Sequence, residues 1–285
     1  MRQKTFLALA LAGVLVPAAV SAQPKPAPAK PAAPAPAKDK KGDAKVDVAP
    51  IVQKLRSGDA SQIREALDEA RIAGPGGAAA APAVAEVLGR GLPLPLTESA
   101  IETLADLEAE AGTPAIPPYV SHRTTKVRRS AVKALARTKG AGASAALRRA
   151  LSDQDAVVRG NAASGLGALK AKDAVGDLFT ALDHRVNEAA SSIGTLCGPT
   201  ECDQLAGKLG RLPFDVMSGG FEQILFRPTT DVTDDGKIKV IGKVRELGTP
   251  EANKFLRDVA KRLTTASPRL KQSLDQAIQA TGGGQ

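Results

Sequence analysis

Few residues in this sequence are of a type and spacing that could do chemistry. Cys197 and Cys202 close the run Cys-Gly-Pro-Thr-Glu-Cys, with four residues between them. A thioredoxin-type dithiol wants two intervening residues, and a zinc site would need further ligands, of which only His184 is near. Given the export leader described below, the pair is expected to form a disulfide that stiffens one turn rather than stapling the fold. Ser130-Ala-Val-Lys133 matches a Ser-x-x-Lys nucleophile pattern, but its companion motifs are missing and it lies inside a helical pattern. Asp231-Val-Thr-Asp-Asp-Gly236 lacks the alternating ligands of an EF-hand loop and is expected to be a solvated connection between helices. The Gly-x-Ser-x-Gly elbow, the phosphate-binding Gly-Lys-Ser/Thr loop and His-Glu-x-x-His are all absent from the sequence. No catalytic, cofactor-binding or metal-ligating residue is therefore assigned, and the chain reads as a non-enzyme.

Charge patterning carries more information. Glu98, Glu102 and Asp106 fall on one helical stripe, and Arg129, Lys133 and Arg137 on another, each acid 31 residues from a base. If equivalent helices of successive units lie side by side, these stripes face each other as exposed ion pairs, each worth about 0–1 kcal/mol. The same region, Arg123–Arg149, holds nine Lys/Arg and no acid. That run is a candidate anion- or partner-binding patch, with Arg148 and Arg149 its best members.

These side chains must be positioned by short amphipathic helices, because no segment alternates long enough to argue for a sheet. The helices repeat. Val127-Arg-Arg-Ser-Ala131 with Leu135 returns 31 residues later as Val158-Arg-Gly-Asn-Ala162 with Leu166, and Leu147 and Leu151 return as Leu178 and Leu182. A third copy lies 27 residues further on at Ala189, Ile193, Leu205 and Leu209. A degraded fourth is expected at Val244, Leu247 and Leu256, and a capping helix after Pro268 through Leu270, Leu274 and Ile278. Phe214, Met217, Phe221, Leu225 and Phe226 concentrate the apolar bulk of one segment at the spacing of a buried helix face. Ser61–Gly74 with Gly77–Gly89, and Thr97–Ala111 with Thr113–Ser121, form earlier pairs, the last helix shortened by Pro117-Pro118. Two helices per unit at a period near 30 predict an all-α solenoid of stacked helical hairpins.

The stretch from Leu151 to Leu169, with its acidic turn (Asp153, Asp155), Val158-Arg159 pair and Ala-rich helix closing in Leu-Gly-Ala-Leu, resembles the HEAT-repeat family, in particular its short phycobilisome-lyase-like repeats. The resemblance implies a superhelix and an inter-repeat contact at Arg159. Some HEAT-like proteins are di-iron hydroxylases built on His-Glu pairs, but His122 and His184 are each followed by Arg. Asp155 is expected to accept from the free N–H groups of the helix that follows it.

Composition bounds the rest. Six Phe, one Tyr and no Trp leave the core to Ala, Leu, Val and Ile and argue against base stacking on single-stranded nucleic acid. Residues 1–46 carry eight cations against two acids, which accounts for six of the nine net positive charges, so the remainder is close to balanced and no nucleic acid partner is expected. Residues 1–22 read as a secretory signal peptide: Arg2 and Lys4, an apolar Phe6–Val16, and Val20-Ser-Ala22 before the cleavage point. That apolar run is about half a transmembrane span, so the mature form is expected to have none. Residues 23–46 are a Pro/Ala/Lys-rich stretch with too little apolar surface to pack, a spacer able to make weak contact with anionic envelope surfaces. Residues 47–285 form the solenoid. The chain is thus expected to be an exported, periplasmic or secreted scaffold without cofactors, binding a protein or peptide through successive second helices. An envelope tether acting through the basic tail and a lyase on the same scaffold are the alternatives.

Overall fold

The structure, a computed structural model, describes residues 46–282. The expected signal peptide and all but the last residue of the expected Pro/Ala/Lys stretch lie outside the described residues. Within them the chain forms α1 (Ala49–Arg56), α2 (Ala60–Ala73), α3 (Ala81–Gly89), α4 (Leu94–Leu107), α5 (Thr125–Thr138), α6 (Ala143–Ala150), α7 (Ala156–Ala168), α8 (Val175–Asp183), α9 (Glu188–Leu196), α10 (Pro199–Ala206), α11 (Phe214–Phe226), α12 (Asp234–Glu246), α13 (Pro250–Arg262) and α14 (Pro268–Gly282). Among the described residues there is no strand, only an isolated bridge between Leu209 and Leu212. None of these helices is long and apolar enough to cross a membrane.

Helix starts are written into the sequence. Asp59 accepts from the N–H groups of Ser61 and Gln62, Asp155 from that of Val158, Thr233 from that of Gly236 and Thr249 from that of Ala252, each satisfying a donor that has no partner inside its helix. The first helix of three successive hairpins ends on a left-handed residue at a constant step: Glu108, Lys139 and Lys170, with φ of 50°, 56° and 55°. A left-handed residue ends a helix abruptly and turns the chain back.

The helices stack as two rows, an α-solenoid of helical hairpins. The first helices α2, α4, α5, α7, α9 and α11 pack each on the next. Facing them, a second row runs through α3, the 3-10 segments Glu110–Ala115 and Pro117–Ser121, then α6, α8, α10 and α12, with much looser contact from one hairpin to the next. The predicted repeat positions line the seam between the rows. Leu104, Leu135, Leu166 and Ile193 are fully buried, as are Ile116, Leu147, Leu178 and Leu205 opposite them. Ile116 fills the slot of Leu147 although Pro114, Pro117 and Pro118 have reduced its helix to 3-10 turns, because one well-placed apolar side chain suffices to close the layer.

Small residues let the first row close. A Cβ on Gly194 would lie 2.2 Å from the carbonyl oxygen of Gly220, and one on Gly220 would lie 2.5 Å from that of Ala190, so α9 and α11 touch backbone to backbone. At the preceding interface a Cβ on Gly167 would meet Ser192 Oγ at 2.6 Å, where that hydroxyl donates to the carbonyl of Ala163.

The fourth copy differs from expectation. α11, with Met217, Phe221 and Leu225 fully buried, takes the first-row place beside α9, while α12 lies in the second row against α10. The hairpins are therefore α11/α12 and α13/α14, and the Leu247/Leu256 spacing spans the turn between two hairpins. Any pair of helices joined by a tight turn yields that spacing, so it does not report which row a helix occupies. α14 packs on both α12 and α13 with Leu270 and Leu274 buried, at the place expected for a cap.

A methyl group at Gly194 has only backbone to push against. Gly194→Ala is expected to destabilise by about 1–3 kcal/mol, whereas Gly242→Ala, in open space within α12, should gain about 0.5–1 kcal/mol. Urea unfolding of both variants checks this, and equal midpoints would contradict so close a row.

Candidate functional site

The exposed face of the first row carries a groove of about 630 Å³ lying across α4, α5 and α7. Its floor is Ala105, Ala136, Gly165 and Ala168, small because the helices beneath stand close together. Its walls are charged. Arg71, Lys126, Arg129, Lys133 and Arg137 set five cations against Glu102 and Asp106. Most of these cations are engaged. Arg71 pairs with Asp106 at 3.2 Å and Glu102 at 3.6 Å, and Arg137 with Asp106 at 2.6 Å and Glu108 at 3.1 Å. Lys133 makes no ion pair among the described residues. Across the groove the Asn161 amide Nδ2 is buried without a hydrogen-bond partner, beside Ser164. The groove thus offers one uncommitted ammonium above an apolar floor of small residues.

The three expected stripe pairs fare differently. Asp106 and Arg137 meet as the 31-residue offset requires. Arg129 does not meet Glu98: its guanidinium forms a fork with Asp155, at 2.9 Å and 2.6 Å, and Glu98 instead takes Lys126. Glu102 does not meet Lys133, but accepts from Ser130 at 3.4 Å and pairs with Arg71. Near the start of α5 the carboxylate capping the next helix lies within reach of Arg129, and a planar fork facing both carboxylate oxygens makes a strong two-point bond. Arg71 escaped the repeat comparison because it stands 35 residues before Asp106, out of register with the 31-residue step.

Arg148 and Arg149, adjacent in the sequence, part company in space. Arg148 is held by Asp173 and Asp177 from the following hairpin, so it is committed to an inter-repeat contact. Arg149 is exposed and makes no ion pair among the described residues. Neither reaches the groove, which lies on the first row and not on the second helices.

The acidic turn of the resemblance is a hub. Asp153 accepts both ends of the Arg128 guanidinium, at 2.8 Å and 2.9 Å, and these side chains are only 10% and 12% exposed. Arg159 donates to the carbonyls of Asp153 and Gln154, and Arg128 donates to those of His122 and Arg123, the same bonds one repeat earlier. Arg159 therefore braces its own turn, and it is Arg128 that carries the contact between repeats. The Arg129 hydrogen bond, aided by the Val158 N–H, holds the Asp155 carboxyl down from 3.8 to about 2.

Cys197 and Cys202 form a disulfide across the turn from α9 to α10, both sulfurs buried. Arg227 donates to the Cys197 carbonyl at 2.6 Å, tying this turn to the end of α11. Among the described residues no group of three or more His, Cys, Asp or Glu side chains is placed to hold a metal ion.

A model of HEAT repeats matches residues 95–167 and 113–194, the region containing the hub and all of the groove but Arg71. No curated protein matches the sequence. Among solved structures, similarity is found to an engineered protein (TM-score 0.46, 17% identity, covering 84% of this chain and 69% of that one). It is found also to the complex of CpcE and CpcF of phycocyanin lyase from Nostoc sp. PCC7120 (TM-score 0.43, 16% identity, 86% and 99% covered). A designed armadillo repeat protein is similar at TM-score 0.41 and 17% identity, with 81% and 98% covered.

Asn at position 155 keeps a capping oxygen but loses the ion pair. A carboxyl whose folded pKa is depressed stabilises above its unfolded value and loses that contribution as pH falls through the folded one. Asp155→Asn should therefore be less stable than the parent at neutral pH, and the two unfolding curves should converge as pH falls from 3.8 to about 2. Urea unfolding at a series of pH values measures this; a gap that stays constant down to pH 2 would count against the ion pair.

Proposed function

Because residues 95–194 carry HEAT repeats, we propose that this chain is an exported, non-enzymatic scaffold that holds a protein partner by a peptide segment laid across the first-row groove. The observation that carries the reading is the groove itself: a smooth Ala/Gly floor between charged walls in which Lys133 is the one cation without a carboxylate partner among the described residues. A smooth floor accepts the backbone and small side chains of a partner segment, and an unpaired ammonium beside it favours one that bears acidic residues. Lys133 is the cation left to receive them. Export rests on the leader sequence of residues 1–22. The non-enzymatic role rests on the missing catalytic motifs. The groove replaces the second helices as the proposed contact surface, because those helices stand further apart and Arg148, one of the two arginines expected to bind there, is engaged with the next hairpin.

A photo-crosslinking residue placed at Ser164 of the full chain, in its native cells, should capture one protein partner. The same residue at exposed Gln204 on α10 should not. Reversal of the groove's charge by Lys133→Glu should weaken binding of the purified partner by about tenfold, the scale of one charge-assisted contact, with helical content unchanged. Equal capture from both sites, or binding indifferent to Lys133→Glu, would overturn the assignment.

A further inference from the structure

A second pocket, of about 470 Å³, opens at the edge of the stack where α5 and α6 meet the turn from Ser152 to Gln154. It lies among residues other than those lining the groove. Four basic or imidazole side chains border it: His122, Arg123, Arg128 and Arg149. Asp153 is the one carboxylate in the lining, and it is already taken by Arg128 in a two-point fork. Arg123 and Arg149 are exposed and make no ion pair among the described residues. His122 Nδ1 accepts from the Thr124 N–H at 3.1 Å, which leaves Nε2–H as the donor of the neutral ring. The hydroxyls of Ser121 and Ser152 complete a lining rich in donors.

The repeat provides an internal control. One 31-residue step later the corresponding pocket is lined by Leu151, Asp153, Arg159, Thr180 and His184 in place of Val120, His122, Arg128, Arg149 and Asp153. There Thr180 stands where Arg149 stands, and Asp177 adds a carboxylate that holds Arg148, so two arginines meet two aspartates. The fold alone therefore builds a balanced pocket at this place, whereas the first pocket holds three arginines against one aspartate. An excess of two positive charges in a concave site lined with donors matches a doubly charged anion that accepts several hydrogen bonds, and guanidinium forks suit tetrahedral phosphate oxygens.

We propose that the pocket between Arg123 and Arg149 is a binding site for a phosphate monoester or inorganic phosphate, read by those two side chains with Arg128 and His122 as its fixed wall. Arg128 is held by Asp153 and by the His122 and Arg123 carbonyls, so it fixes the wall of the pocket while the exposed Arg123 and Arg149 supply the uncommitted donors.

Calorimetric titration of the full chain with inorganic phosphate at low ionic strength should give saturable one-to-one binding. Arg123→Gln and Arg149→Gln should each weaken it by about tenfold, as expected for loss of one charge-assisted contact. Arg148→Gln, in the neighbouring pocket, and Lys133→Gln, in the groove, should leave it unchanged, and circular dichroism should show all four variants equally helical. Sedimentation with phosphatidylcholine vesicles doped with phosphatidic acid then distinguishes the sources. Vesicle binding lost in Arg123→Gln and Arg149→Gln assigns a lipid headgroup; vesicle binding that these variants leave intact, beside phosphate binding that they lose, assigns the free ion. Absence of saturable phosphate binding, or equal weakening by Lys133→Gln, would overturn the proposal. None of these readings depends on whether a partner occupies the groove.

Discussion

The constraint on which the rest of this molecule depends is how closely its first helices approach. Where Gly194 faces Gly220 there is no room for a methyl group between two backbones, and Gly167 leaves just enough space for the Ser192 hydroxyl to bond across to the carbonyl of Ala163. Such contacts draw one row of helices together while the opposite row, built from shorter helices and 3-10 turns, stands looser. A low-aromatic, alanine-rich composition is what this geometry requires, since bulky side chains between the first helices would hold them apart. The shallow floor of the groove is the outer side of the same fact.

Orientation between layers comes from polar contacts at the turns. The bonds of Arg128 to the carbonyls of His122 and Arg123 recur as those of Arg159 to Asp153 and Gln154. Only Arg128 finds a carboxylate beyond them, because the place of Asp153 is occupied one repeat later by His184. The device is thus common to both repeats, but its extension into the next layer depends on a single side chain. Exposed ion pairs add little energy individually, but the Arg128–Asp153 fork is largely withdrawn from solvent.

Two surfaces follow. The groove lies on the tightly packed row and presents small residues flanked by charges, a surface suited to a chain segment. The pocket beside Arg123 and Arg149 lies at the turn edge and presents converging donors. They arise from one basic run, Arg123–Arg149. Helical geometry divides it: residues three and four apart share a face, so Lys126, Arg129, Lys133 and Arg137 go to the groove. Arg123, Arg128 and Arg149 go to the edge.

What was legible in the sequence was whatever is local or periodic. The hairpin period, the buried positions Leu135, Leu166 and Ile193, the cap at Asp155 and the short loop between Cys197 and Cys202 all follow from spacing, because a helix of fixed pitch places them without reference to the rest of the chain. What required the tertiary structure was every choice among neighbours at similar distance. Glu98 could have met Arg129 or Lys126, Arg129 could have turned back to Glu98 or forward to Asp155, and α11 rather than α12 could take the place beside α9. Those outcomes turn on how the layers are rotated and offset, and a repeat period specifies the step between layers but not their rotation. For the same reason the groove, made from α4, α5 and α7 together, became visible only when the three helices were set side by side.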